Sequence, residues 1–133
     1  MSIQAARITI DGDKLYQNVT IYHGEELNNY LNFFEDSDFA FRTHQGLFTL
    51  PYYNVTLIQL DTVPRKLGRD GIKLVRLTLS SDISFHNPIL IPMQHYAKYK
   101  IPLIFPEADQ FAFCDIQGTW ISSDYQVALV QHE

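Results

Sequence analysis

The chain has 133 residues, of which 46% are hydrophobic, 19% charged and 14% aromatic, with a formal net charge of −5. This is too apolar for a disordered chain and suits one ordinary domain or two very small ones. The negative charge disfavours general binding to nucleic acids or anionic membranes, and a single cysteine, Cys114, excludes an internal disulfide.

The first expected strand is Arg7–Ile10, with Ile8 and Ile10 on one face. Asp11-Gly12-Asp13 is a turn signal, and a second strand follows over Val19–His23. Within Glu25–Phe34, Leu27, Tyr30, Leu31 and Phe34 share one helical face, and Glu25 and Glu26 suit the positive end of a helix dipole. Phe39-Ala40-Phe41-Arg42 alternates as a strand. Gln45-Gly46 marks a chain reversal, a further strand is possible at Leu47–Leu50, and Asn54–Leu60 closes the first half.

Residues 62–72 carry the Pro and Gly of a connector. A similar series then begins again: Arg76–Leu79, a helix from Met93 that Pro102 must end near Lys100, Phe111–Cys114, the reversal Gln117-Gly118, and Gln126–Gln131.

Residues 31–59 align without a gap on 103–131. Identities are Leu31/Leu103, Phe33/Phe105, Glu35/Glu107, Phe39/Phe111, Ala40/Ala112, Phe41/Phe113, Gln45/Gln117, Gly46/Gly118, Tyr53/Tyr125, Val55/Val127, Leu57/Leu129 and Gln59/Gln131. After a three-residue shift, Arg7, Tyr16, Asn18 and Tyr30 lie on Arg76, Phe85, Asn87 and Tyr99. Shared alternation explains apolar matches but not the paired Gln, Gly, Arg and Asn. The expected fold is therefore mainly β with one short helix per repeat, a tandem duplication of a β-β-α-β-β unit of about 60 residues. The repeats span 1–61 and 73–133, and they form either small barrels related by a pseudo-two-fold axis or one shared β-sandwich.

The stretch from Arg7 through the Leu-Asn-rich turn to "NVTLIQLD" resembles short bacterial domains of unknown function, which bring no biochemical role. Each half also resembles, in topology, a small Sm-like or SH3-like barrel. The Asp-x-aromatic-x-Asn turn of Sm-like proteins is spaced differently from Asp13, Tyr16 and Asn18 or Asp82, Phe85 and Asn87. That resemblance therefore implies no binding residues.

Chemistry-bearing sets are sparse. His23, His44, His86, His95 and His132 form no metal-ligand spacing, so neither metal nor cofactor is expected. Ser80-Ser81-Asp82 with His86 has the residue types of a triad but no nucleophile elbow. Cys114 reads as a half-buried thiol, and the acidic loops Glu35-Asp36-Asp38 and Glu107-Asp109 read as solvated turns. The chain is thus expected to be non-catalytic: a cytoplasmic protein–protein interaction or assembly module, of a kind that suits a scaffold or structural component of a larger bacterial or phage assembly. Its expected surface comprises Phe48, Trp120, Tyr53 and Tyr125, with the basic connector Arg65, Lys66, Arg69 and Lys73 beside them. Partners are another protein or a second copy. The alternatives are a nucleic-acid or small-ligand module using the groove between repeats, or an enzyme whose site lies in diverged loops of the second repeat. No run approaches the roughly 18 apolar residues of a membrane span.

Overall fold

The structure, a computed structural model, describes residues 2–11, 14–22, 38–61 and 67–132. Twelve strands account for most of these: β1 (Ser2–Ile10), β2 (Lys14–Tyr22), β3 (Phe39–Thr43), β4 (Gly46–Leu50), β5 (Val55–Leu60), β6 (Ile72–Lys73), β7 (Arg76–Leu79), β8 (Ser84–His86), β9 (Ile89–Ile91), β10 (Gln110–Asp115), β11 (Gly118–Ser123) and β12 (Val127–Gln131). The mainly-β expectation is met, because alternating Val, Ile, Phe and Tyr fit a half-buried pleated surface.

All strand pairs are antiparallel. One sheet has the order β4-β3-β2-β1-β5-β11-β10-β9-β6, and a smaller one has the order β12-β7-β8. Neither sheet closes, so the expected small barrels are not what forms. Each Gln-Gly step makes a tight reversal, with Thr43 opposite Gly46 and Asp115 opposite Gly118. Gly46 sits at φ +136°, a backbone conformation that side-chain-bearing residues rarely adopt.

The helix expected in the second half is corrected. Met93–His95 is a single 3-10 turn between Pro92 and Pro102, and Lys100 at φ +57° ends the turns. The Ile101 N–H donates back to the Tyr96 carbonyl at 2.9 Å, closing them off. Pro102 disfavours helical backbone at Ile101, and the left-handed Lys100 stops the turns before a helix extends. The helix expected at Glu25–Phe34 lies outside the described residues. No described segment is an α-helix, so none crosses a membrane as one.

Asn18 and Asn87 both sit at φ +54°. Asn18 lies within β2, and Asn87 with Pro88 separates β8 from β9. Asparagine tolerates the left-handed region because its short amide bonds locally.

The larger core joins both halves: Ile8, Ile21, Phe41, Val55 and Ile58 pack with Leu67, Ile91, Tyr96, Ile101, Phe105 and Ile121. Leu67, from the expected connector, is only 5% exposed, so this end of the connector is part of the fold. A smaller core gathers Leu77, Leu79, Phe85, Phe113 and Trp120 with Leu57.

The left-handed backbone gives a direct test. Asn87→Ala should destabilise by about 1–2 kcal/mol, whereas Asn87→Gly should hold stability near wild type. Urea unfolding of both variants checks this; equal losses for Ala and Gly would mean that the amide, not the backbone conformation, matters at Asn87.

Candidate interaction site

The most informative surface is the seam where the halves meet. β5 pairs with β1 on one side and with β11 on the other. Ile58 is flanked by Ile8 and Ile121, and all three are fully buried. Gln59 stands between Arg7 and Trp120, and Leu60 between Ala5 and Thr119. The Gln59 amide donates to the Gln117 carbonyl at 3.2 Å. It lies against Gly118, where a Cβ would come within 2.8 Å of its nitrogen. Ser122 Oγ donates to the Thr56 carbonyl at 2.6 Å, in a buried position.

This seam corrects the expected pseudo-two-fold arrangement. The closing strand of the first half meets β11, not its own sequence counterpart β12, so the join is head-to-tail. The outer side of β4 and the outer side of β12 have no strand beside them among the described residues. The exposure follows from that. Leu57 and Ile58 in β5 are 5% and 0% exposed, but the aligned Leu129 and Val130 in β12 are 59% and 36% exposed. Thr119 in β11 is 4% exposed and its counterpart Leu47 in β4 is 37% exposed.

Of the aromatics expected at a surface, Tyr53 and Tyr125 are exposed, while Phe48 is half-buried. Trp120 is buried and unavailable to a partner; its indole N–H donates to Asp115 Oδ1 at 3.0 Å and its ring lies 5.2 Å from Phe85. Burial follows from its place in β11, whose residues are all buried between β5 and β10. Tyr53 and Tyr125 flank a polar cleft of about 610 Å³ with Asp11, Thr56, Ser80, Ser81, Asp82 and Gln126. Two carboxylates in its lining oppose a phosphate there.

Tyr52 lies beside this cleft and ties the halves together. Its backbone N–H donates to Asp38 Oδ1 and its hydroxyl to Asp109 Oδ2, both at 2.6 Å. The Asp109 bond and burial hold the Tyr52 hydroxyl well above the usual phenol range. Asp38 and Asp109, from the two acidic loops, thus have structural partners; Glu35 and Asp36 lie outside the described residues.

The basic connector is only partly visible. Arg65 and Lys66 lie outside the described residues, and Arg69 and Lys73 are exposed. Asp70 is not free to offset these cations: it accepts from Lys98 Nζ and from the Tyr99 hydroxyl, each at 2.6 Å, with His95 Nε2 at 3.8 Å. Those bonds, Lys98 first, hold its carboxyl below the ordinary range, and they anchor the connector to the 93–100 turns.

The catalytic sets do not assemble. Ser81 Oγ has no hydrogen-bond partner and so does not engage His86, which sits in β8 opposite Arg76. Burial pushes the Cys114 thiol above its ordinary value, away from the reactive thiolate. Among the described residues, no cluster of His, Cys, Asp or Glu is suited to a metal ion.

No protein-family model, curated protein or solved structure matches this chain.

Two results are expected. Tyr52→Phe should lower stability by about 1 kcal/mol, because a part-buried, charge-assisted hydrogen bond to Asp109 is lost; chemical denaturation reads it. Asp70→Asn should lower the melting temperature at neutral pH. A carboxyl depressed in the folded state stabilises above its unfolded pKa and loses that contribution as pH falls through the folded one. The gap between variant and wild type should therefore narrow below about pH 4, seen by thermal melts across pH.

Proposed function

We propose that this chain is a non-catalytic interaction and assembly module, made of two copies of one five-stranded unit, whose working surfaces are its strand edges. The copies are β1–β5 and β7–β12, with β8 and β9 as two parts of one strand broken at Asn87. Several registers support the duplication. Arg7, Ile8 and Thr9 pair with Gln59, Ile58 and Leu57; the aligned Arg76, Leu77 and Thr78 pair with Gln131, Val130 and Leu129. The register slips at the same step in both, giving Ile10 opposite Val55 and Leu79 opposite Val127. Thr20, Ile21 and Tyr22 meet Arg42, Phe41 and Ala40 as Ile89, Leu90 and Ile91 meet Cys114, Phe113 and Ala112.

Aromatic packing repeats as well. Tyr16 lies 5.3 Å from Phe41 and 5.1 Å from Phe48, and the aligned Phe85 lies 4.7 Å from Phe113 and 5.2 Å from Trp120. Add the shared φ of Asn18 and Asn87, and the likeness extends to a backbone conformation that few residues adopt.

The observation that carries the functional reading is the open edge of β12. Leu129 and Val130 are exposed on a strand that has no strand beside it on one side among the described residues, the kind of edge at which an extended partner strand adds. Wild-type protein is expected to associate, with itself or with an immobilised partner, and Val130→Lys is expected to lose that association while keeping its melting temperature within a few degrees. Light scattering and pull-down measure this. A wild-type chain that stays monomeric and captures nothing overturns the reading.

A further inference from the structure

We infer that the partner is a second copy of this chain, joined head-to-tail by pairing β12 of one molecule with β4 of the next in the register of the internal seam. The inference rests on the assembly reading above and adds to it the occupant, the strand and the register. Within one chain, β5 and β11 pair Leu60 with Thr119, Gln59 with Trp120 and Ile58 with Ile121. The gapless alignment converts β5 into β12 and β11 into β4. The intermolecular pairs are then His132 with Leu47, Gln131 with Phe48 and Val130 with Thr49.

Three features make the outer edges complementary. First, Gln59 works at the seam by donating to the Gln117 carbonyl. Gln131 is the same residue at the corresponding place, yet it is exposed here and its amide does no such work within the chain; Gln45 offers the backbone carbonyl that corresponds to that of Gln117. Gly46 needs glycine for its own φ, so the Gln131 side chain carries this argument. Second, neither β4 nor β12 contains a charged residue that would repel an incoming strand.

Third, an apolar groove of about 460 Å³ lies beside β12, lined by Leu90, Phe111, Val127 and Val130 among others. Its counterpart in the first half, around Ile21, Phe39, Val55 and Ile58, is closed, with those residues at most 2% exposed. What packs there comes from across the seam: Phe105 stacks on Phe39 with ring centroids 5.8 Å apart. In the second half no such neighbour is present among the described residues, and the arriving copy approaches from that side.

A head-to-tail contact uses two different surfaces, so it propagates until a ring closes, or else continues as a filament. Pairing across strands also brings opposed Cβ atoms to about 5 Å, within reach of a short thiol cross-link. The test mixes full-length Thr49→Cys with full-length Val130→Cys under mild oxidation, or with a short bifunctional thiol reagent, keeping each variant alone and wild type as controls. Both positions are on exposed edges, and circular dichroism checks that each variant is folded.

The expected result is a covalent species of twice the 15.4 kDa chain mass in the mixture, with none from either variant alone. Light scattering of the wild type should show a multiple of that mass, and Val130→Lys should return it to the monomer. A monomeric wild type with no cross-link overturns the inference; if that same protein still captures a different partner through β12, the assembly reading survives it. A self-associating wild type that cross-links Thr49→Cys to itself, or not at all, overturns the register and the head-to-tail geometry while leaving assembly intact.

Discussion

Everything in this fold depends on β5 being hydrogen-bonded on both sides. A five-stranded antiparallel unit of this size leaves two edges and too little buried surface to be comfortable alone. Joining β5 to β11 removes one edge from each half and buries the row Ile8, Ile58 and Ile121 across three strands. It also places Phe105, Tyr96 and Ile101 of the second half over the core of the first. The halves are therefore not two beads on a connector. Tyr52 reaching Asp109, Ser122 reaching the Thr56 carbonyl and Gln126 reaching the Tyr53 carbonyl all span the same division.

Much of this was legible in the residues, though unevenly. Alternation marked β1, β3 and β10, and matching residues in the two halves marked β5 and β12 as closing strands. The Gln-Gly steps marked both tight reversals. The helix expected in the second half rests on its alignment with Glu25–Phe34, and between Pro92 and Pro102 backbone bonds close the chain into short turns instead. Trp120 is expected at the surface together with the aligned Phe48, and of the two only Phe48 is partly exposed. What differs is the neighbour, since β11 has β5 beside it and β4 has nothing described beside it. Exposure here is a property of position in the sheet, which a residue's own sequence context does not carry.

The seam left a trace that core arguments miss. Gln59 is not apolar and lies outside the core, and its amide is used across the join. That donation gives a reason for the identical Gln131 at the corresponding place in β12, whereas Gln45 and Gln117 belong to the tight reversals, their N–H groups donating to Thr43 Oγ1 and Asp115 Oδ1. Identities of this kind, polar and away from turns, are where a nonlocal strand pairing becomes readable in advance.

The four sheet edges make the remaining point. β6 has two residues and β8 three, and both are blunted by brevity and by exposed Lys73, Ser84 or His86. β4 and β12 are different: each has five residues, Gly-Leu-Phe-Thr-Leu and Val-Ala-Leu-Val-Gln, without a charge, a proline or a covering segment among the described residues. Long, uncharged, apolar edges invite uncontrolled pairing, and soluble proteins ordinarily protect them. Protection at two of four edges means that the fold has the means to blunt an edge. The two left open are the two whose counterparts are already joined inside the chain. Under the proposed assembly, a partner strand would satisfy their backbone groups and cover Leu129 and Val130 without any new geometry, because the join it requires is one that β5 and β11 already make.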